Sequence, residues 1–375
     1  MPEAQTFLTG NGDHRRTLVV IFLRGAADGL HMVAPLQDDG YYRARPRIAL
    51  TKKEAVPLDG FFGLHPRLKE LETIYREGQM AIIHAAGSED STRSHFEAQE
   101  LMEHGGLVAG GWLARFLRAR TAEASGPLSA VALGHAVPEC LRGAPSATVF
   151  QSLDDFSLGK HSAPLVRALS RLYGSEGGLL GGAGCVTVEA LDRIEGLRQQ
   201  AYSPAHGASY GTDEFARNLL QIARLIKGRV GLEAASVDLG GWDSHFGQGP
   251  LIEPLMARLA AGLSAFWRDL GPDMEHTTVV VMTEFGRRVE ENSAFGTDHG
   301  RGSVMFVMGG GVKGGRVLGK WPGLTREVLE GPGDLPVVHN YRNILGPVLQ
   351  RHGLEEDALR KVFPDFDFLP LDVYA

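Results

Sequence analysis

Residues 277–311 read TTVVVMTEFGRRVEENSAFGTDHGRGSVMFVMGGG, and this stretch decides the fold class. An unbroken run of β-branched and apolar residues ends in Glu284 and Arg287. A loop follows, and Asp298 and His299 stand at the mouth of a second such run. Runs that do not alternate polar with apolar residues belong to strands covered on both faces, as in parallel sheets. Loops joining buried strands ordinarily carry residues for turning and solubility, so a carboxylate and an imidazole at strand ends read as candidate ligands.

The same kind of run recurs at 17–23, 80–85, 129–133 and 235–239, besides 277–282 and 303–308. Amphipathic segments with helical spacing lie between them, at 65–77, 111–124, 213–227 and 251–270. Strands alternating with helices predict an α/β fold, a three-layer doubly wound and mostly parallel sheet. The segment 174–184, GSEGGLLGGAG, reads as a surface loop or lid. Helical patterns continue on both sides of it, so residues 1–375 are expected to form a single domain.

With 375 residues the chain buries a sizeable core easily, and 43% hydrophobic with 22% charged residues is ordinary for a soluble protein. A net charge of −7 with both signs interspersed argues against a nucleic-acid partner. Cys140 and Cys185 exclude a disulfide framework and a thiolate zinc site, although one bridge between them stays open. No apolar run approaches the roughly 20 residues that span a bilayer. Arg15-Arg16 precedes an apolar stretch, but 18–23 is short for an export signal and reads as a buried first strand.

Ligands of open α/β sheets bind beyond the carboxyl ends of the strands. The residues there are Asp28 with His31, then Ser91, Thr92, Ser94 and His95, then Asp243 and His245, then Glu284 and Arg287, with Asp298 and His299 before the last strand. Each piece also fits a structural role: Asp28 as a turn or N-cap, Ser94 as a helix cap, Glu284 with Arg287 as an ion pair. Together they predict a divalent-metal or acid–base site. Carboxylates and imidazoles without thiolates suit Zn²⁺, Mn²⁺ or Fe²⁺, with Mg²⁺ at an all-oxygen position. A Ser or Thr at a helix start beside such an ion is a candidate nucleophile, and Arg287 or Arg93 a candidate clamp for a phosphate or sulfate.

The stretches VVIFLRGAADGLHMVAPLQDDGYYRARPRIAL, LDGFFGLHPRLKEL, STRSHFEAQELME, GGWDSH with Gln248, and TEFGRRVEENSAFGTDHGRGSVMFVMGGGVKGG resemble the bacterial domain-of-unknown-function 1501 family in order and over nearly the whole chain. That family is placed in the alkaline-phosphatase-like superfamily, with sulfatases, phosphatases and phosphomutases. Most of its members carry a twin-arginine export signal, so the resemblance implies a cytoplasmic chain as the sequence stands, or a periplasmic one if such a signal was removed. The resemblance implies Asp28 and Glu284 as ligands of one metal, and Asp243, His245 and His299 as ligands of another. Asp298 joins the metal set, and Ser94 becomes the nucleophile, with Thr92 or Ser91 as rivals. His95 is implied as a ligand or substrate contact, and Arg287 as the group for the anion. The spacing Asp243-x-His245, and Phe285 after Glu284, depart from the superfamily pattern, so one or two ions are expected. The implied activity is hydrolysis of a small phosphate or sulfate ester. An inactive binding or assembly protein and a metal-dependent phosphomutase are the alternatives.

Overall fold

The computed structural model describes residues 15–120, 126–154, 163–176 and 178–375. In chain order its strands are β1 (Thr17–Arg24), β2 (Val33–Pro35), β3 (Val56–Pro57), β4 (Phe62–Leu64), β5 (Met80–Gly87), β6 (Ala130–Leu133), β7 (Thr148–Phe150), β8 (Ala234–Gly240), β9 (Thr277–Met282), β10 (Ser303–Gly309), β11 (Arg316–Leu318) and β12 (His339–Asn340). The helices are α1 (Gly29–Met32), α2 (Asp39–Ala44), α3 (Glu72–Arg76), α4 (His95–His104), α5 (Trp112–Ala119), α6 (Ala163–Ser175), α7 (Gly178–Gln199), α8 (Glu214–Lys227), α9 (Gln248–Leu270), α10 (Tyr341–Arg351) and α11 (Leu359–Val362).

The central sheet runs β11-β5-β10-β9-β1-β8-β6-β7, with β12 extending the partner edge of β5. β9, β1, β8, β6 and β7 pair in parallel, and β11 and β12 run parallel to β5. β10 is antiparallel to both β5 and β9. A parallel neighbour needs a long crossover, usually a helix. The 283–302 connection contains none and folds directly back, which reverses β10 within an otherwise parallel sheet.

β1 shows why its sequence does not alternate. Val19, Ile21 and Leu23 pack into one core, beneath α8, α9 and α3. Leu18, Val20 and Phe22 pack into another, beneath α5, α10 and α11. Each fully buried side chain of this kind stabilises the fold by about 1.5–3 kcal/mol, so both faces of the strand select apolar residues.

All the strand runs read from the sequence form strands, within a residue or two of the expected ends. The 65–77 segment splits into a 3₁₀ turn, Pro66–Leu71, and α3. The glycine-rich segment 174–184 differs from expectation. From Gly178 it is the start of α7, whose Val188, Ala190 and Ile194 are buried. Tertiary burial of that stripe overrides the low helix propensity of the glycines. Residues 1–14, residue 177 and the last residues of the expected 111–124 helix lie outside the described residues. Cys140 is buried and Cys185 exposed, and both are free. Among the described residues, no helix is long and apolar enough to cross a membrane.

A second, three-stranded antiparallel sheet, β2-β4-β3, sits beside the carboxyl end of β1. The parallel strands β5, β1, β8 and β9 end, and β10 begins, at one common edge, so the loops bearing the candidate residues all emerge there.

Candidate metal centre

The loops after β1 and β8 approach so closely that no side chain fits between them. Gly25 has φ +116°, and a Cβ there would lie 2.6 Å from the backbone nitrogen of Asp243. The RGA turn is thus a condition for placing Asp243. The 283–302 connection closes on itself like a hairpin. Arg288 N–H donates to Asp298 O at 2.9 Å, and Gly300 N–H to Gly286 O at 2.9 Å, which brings the Glu284 end against the His299 end.

Arg287 ties these loops together. Its buried guanidinium donates to the carbonyls of Ala26 (2.8 Å), Gly25 (2.6 Å), Trp242 (3.2 Å) and Thr297 (3.1 Å), and to Asp243 Oδ1 (2.7 Å). One side chain thereby crosslinks the ends of β1 and β8 to the approach to β10. The contacts occupy the group that the sequence suggested for an anion. Arg93 is similarly engaged, by the carbonyl of His299 and the carboxylate of Asp334.

Four side chains converge between these loops. His245 Nε2 lies 2.9 Å from His299 Nε2 and 3.1 Å from Asp243 Oδ1. His299 Nε2 is 3.5 Å from the same Oδ1, and His95 Nε2 is 3.5 Å from Asp243 Oδ2. One ligand atom each from His95, Asp243 and His299 fall within 4.8 Å of one another, a spacing that could hold a metal ion.

Hydrogen bonds behind the cluster fix which ring nitrogens face it. His299 Nδ1 lies 2.8 Å from the Arg93 carbonyl, which can only accept, so Nδ1 carries the proton and Nε2 the lone pair. Burial, Arg287 and the neighbouring histidines lower the His299 pKa and favour that neutral form over the opposing pull of the Arg93 carbonyl. His95 Nδ1 donates to Glu284 Oε1 at 2.9 Å. This bond is the main reason the His95 pKa is raised, and it leaves Nε2 turned inward, buried and without a hydrogen-bond partner among the described residues. A carboxylate behind an imidazole is the usual outer support of a metal-binding histidine. Phe285 covers His95 and His299 from the side, with ring centroids 5.2 and 5.0 Å away.

The carboxylates differ in their surroundings. Burial raises the Glu284 pKa, but donors from His95, Gln99 and Gly25 (each at 2.9 Å) more than offset it, and the group is held below its ordinary value. Burial likewise opposes Asp243, and Arg287 outweighs it. Asp298 is lowered chiefly by Asn292, which donates at 3.2 Å; its Oδ1 stands 3.5 Å from His245 Nδ1.

Asp28 stands apart from the four converging groups. It forms a two-pronged ion pair with Arg45 (2.6 and 3.1 Å) and accepts from Gln248 at 2.7 Å, and both charged groups are essentially inaccessible. Ser94 caps α4, accepting from Glu97 N–H at 3.5 Å, and is exposed beside His95. The Thr92 hydroxyl donates to Glu97 at 2.6 Å. The sequence reading missed Arg45, Gln99 and Asn292. Gln99 follows His95 by one helical turn, a spacing that pointed to it. The other two carry no such local signal.

The family model described as "Protein of unknown function (DUF1501)" matches residues 93–363. The chain belongs to the DUF1501 family. The match takes in His95, Asp243, His245, Glu284 and His299, whereas Asp28 and Arg45 precede it. No curated protein matches this DUF1501 chain. Among solved structures it is similar to a phosphonate monoester hydrolase of Agrobacterium radiobacter (10% identity, 82% of this chain and 71% of that one, TM-score 0.37). It is also similar to a 2-O GAG sulfatase (11%, 91% and 71%, TM-score 0.35) and to the alkaline phosphatase of the Antarctic bacterium TAB5 (10%, 80% and 93%, TM-score 0.30).

Proposed function

We propose that this DUF1501 protein is a metal-dependent hydrolase of small phosphate or sulfate esters, with one divalent cation held by His95, Asp243 and His299 and supported by His245. The carrying observation is His95 Nε2, a buried nitrogen without a hydrogen-bond partner among the described residues, turned toward Asp243 Oδ2 3.5 Å away by the grip of Glu284 on Nδ1. A buried polar atom left unpaired costs about 1–3 kcal/mol, and a cation between His95, Asp243 and His299 removes that cost. Two imidazoles and a carboxylate suit Zn²⁺ first, then Fe²⁺ or Mn²⁺.

Such an ion would supply Lewis acidity toward an ester oxygen and would lower the pKa of a nearby hydroxyl. The chain's own part is orientation. Glu284 and the Arg93 carbonyl hold the two imidazoles in their tautomers, and Arg287 holds Asp243 in place. Ser94 offers its hydroxyl at the N-terminus of α4, where free N–H groups favour an approaching anion. Asp28 and Asp298 are assigned to positioning, through Arg45 and His245 respectively.

One observation favours a second reading, a metal-holding protein without turnover: the engagement of Arg287 and Arg93 leaves neither poised to clamp an ester's oxygens. One experiment separates the two. Metal content is measured for wild type and Asp243→Ala, with aryl phosphate and aryl sulfate turnover followed with and without chelator. Stoichiometric metal, lost in the variant, with chelator-sensitive turnover supports the hydrolase. Metal without turnover supports the second reading, and no metal sinks both.

A further inference from the structure

A second cluster of ligating groups lies in a cleft of about 680 Å³ beside the small β2-β4-β3 sheet. His31, in α1, leads into β2. His65 follows β4 directly, and the pairing of Val33 with Leu64 sets the two histidines side by side, ring centroids 4.8 Å apart. Glu253 comes from the first turns of α9. One ligand atom from each of His31, His65 and Glu253 lies within 4.8 Å of the others.

His31 makes the cluster more than a chance grouping. Its side chain lines the cleft, is only 6% exposed, and has both ring nitrogens buried without a partner among the described residues. A neutral imidazole has one donor and one acceptor to satisfy, and buried polar groups left unpaired are rare.

We propose that His31, His65 and Glu253 form a further divalent-cation site, suited to Zn²⁺ or a similar borderline ion. Two imidazoles and one carboxylate, open toward a cleft, match the ligand types and number of such sites. Two existing contacts bear on the site: the first must yield, and the second leaves Glu253 Oε1 as a ligand. The His65 Nδ1 lone pair accepts from Arg67 N–H at 3.2 Å, and Glu253 Oε2 accepts from Arg67 Nε at 3.0 Å. Both are modest. The first is long, and Arg67 is 59% exposed, so its pairing with Glu253 is screened by solvent and weak. The site uses no residue of the His95–Asp243–His299 cluster and does not rest on the ester-hydrolase reading.

The test counts cobalt. Chelator-stripped full-length protein is dialysed against Co²⁺ and bound metal is measured by elemental analysis and visible absorption. The chains are wild type, Asp243→Asn, and Asp243→Asn combined with His65→Asn or with Glu253→Gln, each checked by circular dichroism and melting. Asp243→Asn is expected to retain one Co²⁺ per chain. Each added change should weaken that ion at least about tenfold, since losing even an outer-shell partner costs about 10–100-fold in affinity. Glu253 is a partly exposed helix residue, so its variant decides the matter if His65→Asn does not fold. The proposal is overturned if folded Asp243→Asn retains no cobalt, or retains it with an affinity that folded Glu253→Gln leaves unchanged. Failure of the first cluster to bind metal does not affect that outcome, because the effect is read on His65 and Glu253.

Discussion

Glu284 Oε1 and His95 Nδ1 meet at 2.9 Å across the gap between the end of β9 and the start of α4. Glu284 is fully buried and His95 is partly open, so the carboxylate orients the imidazole from behind and leaves Nε2 to the cluster. Replacing Glu284 with Gln keeps the shape but removes the charge. Metal affinity is expected to fall about 10–100-fold, measured by competition with a chromogenic chelator. An unchanged affinity would remove Glu284 from any role in the site.

Ser94 carries two separable roles. Ser94→Ala removes the cap of α4 and is expected to lower stability by about 1 kcal/mol. Asn caps as well as Ser, so Ser94→Asn should restore the melting temperature. If Ser94 is the nucleophile, both variants lose ester turnover while keeping bound metal. Turnover surviving in Ser94→Asn would move the nucleophile elsewhere, with Thr92 next in line.

The Asp28–Arg45 pair is a matter of stability before chemistry. Both groups are essentially excluded from solvent. Burial raises the Asp28 pKa, and the Arg45 guanidinium more than reverses it, holding the carboxyl below its usual range. Removing one partner leaves an uncompensated buried charge, so Asp28→Ala or Arg45→Met should each destabilise the protein by about 3–5 kcal/mol. Urea unfolding reads this directly. The double variant is expected to be more stable than the sum of the single losses implies.

His84 gives the fold an acid sensitivity whose sign is fixed. Its Nε2 donates to Val33 O and its Nδ1 accepts from Ala85 N–H, both at 2.9 Å, so no site is left for a second proton. Burial lowers its pKa from 6.5 to about 4. Between those values the unfolded chain binds more protons than the folded one, so stability rises with pH. The contribution is fully present above pH 6.5 and is lost as pH falls through about 4. His352, lowered by burial to about 3, acts in the same direction. Denaturation midpoints taken across this window should drop toward acid, and less steeply in His84→Gln. An equal slope in that variant would rule out His84 as a source.

The sequence by itself determined the layers and the edge. Uninterrupted apolar runs rich in β-branched residues, such as 17–23 and 277–282, read as strands buried on both faces, and the helical spacing between them supplies the covers. Because ligands gather at strand ends, Asp243, His245, Glu284, His299 and His95 are all legible in the sequence as one region. Tertiary structure decided the division of labour among them. Whether a carboxylate faces a cluster or stands behind an imidazole depends on which donors reach it, and those donors come from distant segments: Gln99 and His95 to Glu284, Arg45 and Gln248 to Asp28, Arg287 to Asp243. The reversal of β10 and the meeting of His31 with His65 have the same origin. Chain periodicity records which face of an element is buried, whereas hydrogen bonds and ion pairs between elements form only once the sheet has brought their ends together.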